Sequence, residues 1–104
     1  MAVVEVQIIP IGTAAPSLSS YVAGCVSVLK KYRHLTYQLT PMGTVIEGEL
    51  NDILDVVREM HEVPFDNGAM RVVTTIRIDD RRDKQLTMNG KVESVTSKME
   101  KDSR

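Results

Sequence analysis

Four groups of side chains in this sequence have the type and spacing to do chemistry. The densest is Asp79-Asp80-Arg81-Arg82-Asp83-Lys84. Its acids offer the oxygen donors that magnesium takes, and its arginines offer the fork that grips a phosphate. No glycine-rich phosphate loop accompanies them. The plainer reading is a solvated turn whose Asp83 starts a helix. The second group is Glu5, Gln7, Glu47 and Glu49. If these residues lie on strands, alternation sets the acids side by side, where like charges repel unless a cation answers them. Arg71 and Arg77 can supply that cation, and so can a bound cationic or amine-bearing small molecule. The residues alone leave both arrangements open. The histidines, His34 and His61, each fall near a predicted helix end with no second ligand at a metal-binding spacing, so they read as helix-end residues. Cys25 is the single cysteine. It falls on an apolar stripe and reads as a small buried hydrophobe with no base to activate it. No catalytic residue and no metal ligand set is expected.

The elements that must position these groups follow from periodicity and punctuation. Val3 to Ile11 alternates, with Val4, Val6 and Ile8 on one face and Val3, Glu5, Gln7 and Ile9 on the other, which predicts a strand. Pro10 and Gly12 end it. Pro16-Ser17 opens a helix with Ser17 as N-cap. Leu18, Tyr21, Val22, Cys25, Val26, Leu29 and Tyr32 recur at helical spacing, and the helix is expected to end near His34, its basic tail suiting the dipole. Leu35–Leu39, the turn Thr40-Pro41-Met42-Gly43 and Thr44–Glu49 read as a hairpin. Asn51 is placed as the cap of a second helix with a stripe of Ile53, Leu54, Val57 and Met60, ended by Pro64 and the Asp66-Asn67-Gly68 loop. Ala69–Ile78 is a strand, and a third helix starts at Asp83 or Thr87 with Met88, Val92, Val95 and Met99 on one side.

The order β-α-β-β-α-β followed by a helix is the split βαβ arrangement. It predicts an α+β, ferredoxin-like sandwich with a four-stranded antiparallel sheet and an additional C-terminal helix. Right-handed crossovers put both main helices on one sheet face. The bare face then carries Glu5, Gln7, Glu47, Glu49, Arg71, Thr75 and Arg77 among Val3, Ile9, Val45 and Val73. It is too apolar to be left to solvent, and a homo-oligomer made by sheet faces or edges is expected.

Composition bounds the rest. At 104 residues, 42% hydrophobic and 26% charged, the chain is expected to be one globular domain over 1–104. Its net charge of −1 gives no pull toward nucleic acid or an anionic membrane. Base stacking on a ferredoxin-like sheet needs exposed aromatics, and the single phenylalanine, Phe65, falls in a predicted loop. The N-terminus has no signal-peptide pattern, and no apolar run is long enough to span a bilayer, so a cytoplasmic protein is expected.

The stretches VQIIPIGT (7–13), SLSSYVA (17–23), PMGTVIEGE (41–49), HE (61–62), RVVTTIRIDDRRDK (71–84) and KVESV (91–95) together resemble the small thiamine-binding-protein family, single-domain relatives of the YkoF-like proteins. The resemblance spans almost the whole chain. It implies a ferredoxin-like fold assembled as a homotetramer, a dimer of dimers. It also implies binding of thiamine or its hydroxymethylpyrimidine part, with no catalysis and no cofactor beyond that ligand. Laid on those motifs, ligand chemistry assigns Glu47 to the cation or the amino group. Thr44 with Ser19 or Ser20 would read ring nitrogens, and Met42 or Tyr37 would pack on a ring face. Two other classes remain: a regulatory module sensing a different metabolite at a subunit interface, and an enzyme of thiamine or phosphate-ester metabolism using the Asp79–Lys84 cluster. The second lacks a nucleophile or an acid–base pair.

Overall fold

In the computed structural model, which describes residues 1–12, 19–83 and 87–102, the alternating N-terminal segment is β1 (Ala2–Pro10). It pairs antiparallel on one side with β3 (Gly43–Gly48) and on the other with β4 (Val72–Asp80). β2 (Thr36–Thr40) completes the order β2-β3-β1-β4. The ferredoxin-like βαββαβ fold with an additional C-terminal helix is therefore present. Val4 stands opposite Ile46 and Ile78, and residues directly opposite share a face. One face thus collects Val4, Val6 and Ile46. Cys25 and Leu29 from α1 (Ser19–Leu29) and Ile53, Val56, Val57 and Met60 from α2 (Leu50–Asp66) close over it. Gly24 lets the two helices approach: a Cβ there would lie 2.9 Å from a Val63 methyl carbon.

Several boundaries differ from the sequence reading. The first helix ends at Leu29, not near His34. Leu29 and Leu35 are both buried. Six further helical residues turn by about 240° relative to the start, so an unbroken helix would aim Leu35 away from the core. Tight bonds from Lys31 N–H to Val28 and from Tyr32 N–H to Leu29 bend the chain back instead. The proposed Ser17 cap lies outside the described residues. The second helix is entered through Glu49 rather than Asn51, with no side-chain cap. Glu49 therefore leaves the sheet, and its place on the open face is corrected. Within that helix Val56 is buried where Leu54 was expected, and Leu54 is exposed. Pro64 does not end it but sits in its last turn. The helix stops two residues later, where the Asn67 and Gly68 N–H groups donate to carbonyls of that turn.

The hairpin tip is built by side chains rather than by left-handed backbone, for no non-glycine residue has positive φ. The Thr40 hydroxyl accepts from the Met42 and Gly43 N–H groups at 3.3 and 3.1 Å, a side-chain mimic of a turn. Gly43 is needed because a Cβ would stand 2.9 Å from the Val6 carbonyl oxygen. Gly48 faces a harder limit: a Cβ would lie 2.4 Å from a Leu35 methyl carbon.

α3 (Met88–Asp102) begins against the open sheet face. Glu47 Oε2 accepts from the Met88 N–H at 2.8 Å, and the Thr87 hydroxyl accepts from Gly90 N–H at 3.0 Å. Thr87, not Asp83, is the starting residue. A carboxylate at a helix N-terminus meets both an orphan donor and the positive end of the dipole. Beyond this anchor the helix projects outward. Val92, Val95 and Met99 share a stripe yet are 66, 59 and 65% exposed. The molecule measures 53 × 30 × 19 Å, and its radius of gyration is 15.9 Å, against about 13 Å for a compact chain of this length.

Gly48→Ala is expected to lower stability by about 1–3 kcal/mol in urea unfolding with an unchanged m value. Glu47→Gln is expected to speed hydrogen exchange at the Met88 amide and fray α3 while the unfolding midpoint of the core holds. A loss of core stability beyond about 1 kcal/mol would assign Glu47 to the sheet instead.

Candidate functional site

A cleft of about 250 Å³ opens where α1, β1 and the β2–β3 hairpin meet. Val6 and Ile8 line it from β1, Val22 and Cys25 from α1, and Met60 from α2, while Thr40 to Thr44 form its hairpin side. It exists because the hairpin tip leans over β1. Gln7 pins that tip by donating from Nε2 to the Met42 carbonyl at 3.1 Å. The volume is below the roughly 300–1,000 Å³ of drug-sized pockets, so the cleft suits one ring better than two. Among the described residues no charged side chain lines it.

The polar groups in the cleft are few. Thr44 is 6% exposed, and among the described residues no buried side-chain polar atom is left without a partner. The Thr44 hydroxyl, part of the cleft lining, can both donate to and accept from a ligand. Cys25 donates from Sγ to the Met60 carbonyl at 3.5 Å. Burial pushes its thiol above the ordinary value, so the proton stays on sulfur at neutral pH and the group is a donor. Met42, 72% exposed, stands at the mouth.

The six residues assigned from ligand chemistry separate here. Met42 and Thr44 come together in the cleft. Tyr37 lies on the same sheet face but packs into the core from the edge strand, outside the cleft lining. Ser20 is exposed in the first turn of α1, and the Ser19 side chain lies outside the described residues. Glu47 is on the opposite sheet face, occupied by the start of α3. Cys25 and Met60 were read from sequence only as core. The signal available was Pro64, four residues after Met60, whose missing N–H leaves the Met60 carbonyl without a helical partner.

Several of the other charged groups are paired. Asp79 pairs with Lys91, Asp80 with Arg82 at 3.1 Å, and Arg81 with Asp83 at 2.5 Å, while Lys84 lies outside the described residues. Arg77 approaches Glu5 only to 3.8 Å, so the open-face acids are met by one loose ion pair and by the N-terminus of α3. His34 faces Asp52 at 3.2 Å, and His61 Nδ1 lies 2.6 Å from the Thr74 hydroxyl. Among the described residues no group of three or more His, Cys, Asp or Glu is placed to hold a metal ion. Nor is any helix long and apolar enough to cross a membrane.

The chain is similar to UPF0045 protein YqgV of Bacillus subtilis, 52% identical over 103 residues that cover 96% of this chain and 99% of that protein. It is 54% identical over 98 residues to the UPF0045 protein in the glkA 3′ region of Staphylococcus xylosus, covering 91% of this chain and 92% of that one. The crystal structure of hypothetical protein MJ1052 from Methanocaldococcus jannaschii superposes with a TM-score of 0.82 at 40% identity, over 91% of this chain and 95% of the other. The family model described as thiamine-binding protein matches residues 4–96, and by that match this chain belongs to the thiamine-binding protein family.

Proposed function

We propose that this protein is a cytoplasmic, non-catalytic binding protein for thiamine or its hydroxymethylpyrimidine moiety. The observation that carries this reading is the ring-sized cleft, lined among the described residues by no charged side chain and carrying the Thr44 hydroxyl in its wall, in a chain of the thiamine-binding family. In this reading the pyrimidine enters the cleft, Thr44 meets a ring nitrogen, and Met42 closes on the ring face. The thiazolium of thiamine, being cationic, stays at the mouth, because burying a charge without a counter-ion costs more than the cleft returns. Glu47 is not part of this contact set, since its carboxylate already serves α3.

The assembly proposed is a homotetramer, a dimer of dimers. Two separate apolar surfaces support it. The α3 stripe of Val92, Val95 and Met99 adjoins the open face with Val3 and Val45. The free edge of β4 carries Ile76 and Ile78, 39 and 48% exposed. A long exposed strand edge and an unpaired amphipathic helix are both costly in a monomer, and a second copy of this chain covers each with a surface of matching kind.

Calorimetry with thiamine, its phosphates and hydroxymethylpyrimidine tests the ligand. Binding of at least one is expected, with Thr44→Val weakening it roughly tenfold, the scale of a lost buried hydrogen bond. No binding of any of them at millimolar concentration would sink the proposal. Sedimentation tests the assembly: a tetramer is expected, and the double change Val92→Glu, Val95→Glu should yield a smaller species. A wild-type monomer contradicts it.

A further inference from the structure

The Met60 carbonyl occupies an unusual position for a helical acceptor. Its helical donor would be the N–H of residue 64, and residue 64 is proline. Pro64 is fully buried inside α2, where proline costs stability and removes the i→i−4 bond. The carbonyl it frees faces α1 and takes the Cys25 thiol at 3.5 Å. A thiol is a weak donor, so this buried acceptor is only lightly satisfied. Both residues line the cleft, with Cys25 6% and Met60 1% exposed, which puts them at its inner end, opposite Met42 at the mouth. Thr44, 6% exposed, brings a hydroxyl to the same lining.

Resting on the ligand reading above, we propose that the Met60 carbonyl, freed by Pro64, is the specificity-determining acceptor of the cleft, and that Cys25 holds it until a ligand arrives. The ligand class follows from the donor and acceptor pattern. It is a neutral, single heteroaromatic ring whose exocyclic amine donates to the Met60 carbonyl while a ring nitrogen accepts from Thr44. The incoming amine displaces the S–H, a stronger donor replacing a weaker one. The proline is then the feature that leaves both lone pairs of this carbonyl to groups outside the helix ladder: an N–H at position 64 would take one of them and weaken the bond to a ligand amine.

The test compares 4-amino-5-hydroxymethyl-2-methylpyrimidine with the analogue in which hydrogen replaces the amino group. Wild type is expected to prefer the amino compound by roughly tenfold or more. Pro64→Ala supplies the missing N–H, so it should keep the fold by circular dichroism, bind the analogue as before and narrow the preference. Cys25→Ala removes the competing thiol and should widen the preference several-fold, which keeps the test alive if the proline variant does not fold. The single cysteine gives one S–H infrared band, expected to move toward that of a free thiol when the amino compound binds and not when the analogue does. An unchanged preference in Pro64→Ala, a preference that does not widen in Cys25→Ala, or an S–H band that the amino compound leaves in place overturns this inference. Wild type binding both compounds equally, with the loss on Thr44→Val retained, overturns it while leaving the pyrimidine reading standing. Wild type binding neither overturns both.

Discussion

The two-residue period of the strands decides what every other part of this molecule does. In β1 and β3 consecutive side chains go to opposite sides of one sheet. Thr44 and Ile46 therefore belong to the helix-covered face, while Val45 and Glu47 belong to the open one. Thr44 and Glu47 are three residues apart, yet they serve different sites: one lines the cleft, the other caps a helix on the far side of the sheet. A slip of one residue in the β1–β3 register would exchange the two faces, placing a carboxylate in the core and Val6 in solvent. The core residues Val4, Val6 and Ile46, all within 2% of fully buried, hold the register against that slip.

On the covered face α2 carries a local compromise in helix regularity beside the cleft. α2 keeps its apolar stripe of Ile53, Val56, Val57 and Met60 and then accepts a proline where a helix would ordinarily not. The lost backbone bond is offset in part by the Cys25 thiol crossing from α1. The same two helices are allowed to sit close by Gly24, which has no side chain to collide with Val63. These features stand at neighbouring positions of one helix pair, of which Cys25 and Met60 reach the cleft lining.

The element order was legible in the sequence because it rests on patterns that single residues cannot blur: period two in Val4-Val6-Ile8, helical spacing in α2, and a hairpin marked by Pro41 and Gly43. The helix ends were less so. Whether α1 stops at Leu29 or runs to His34 depends on where Leu35 must go, and that is set by the core rather than by any local signal. Leu54 fits the helical stripe as well as Val56 does, and only the placement of α2 against the sheet separates them. Candidate site residues read from motif chemistry divided in the same way. Met42 and Thr44 fell together because they share one hairpin. Glu47 was chosen for its charge, and charge says nothing about which sheet face or which partner a carboxylate meets.

The acids of this protein invite the expectation that a cation is held by carboxylates. The distribution of charge argues for the opposite arrangement. Glu47 is spent on a helix terminus, Glu5 is loosely paired with Arg77, and Asp79, Asp80 and Asp83 are bonded to Lys91, Arg82 and Arg81. Among the described residues no charged side chain lines the cleft. A site of this kind discriminates through the directions of a few hydrogen bonds against apolar walls, and such a site rejects a ligand that leaves its polar groups unpaired far more strongly than one that is merely a poor fit. In the proposed reading, charge on the ligand is then tolerated at the mouth rather than read. The open face, with its projecting helix, lies on the other side of the sheet, so that an assembly of the proposed kind would not obstruct the cleft.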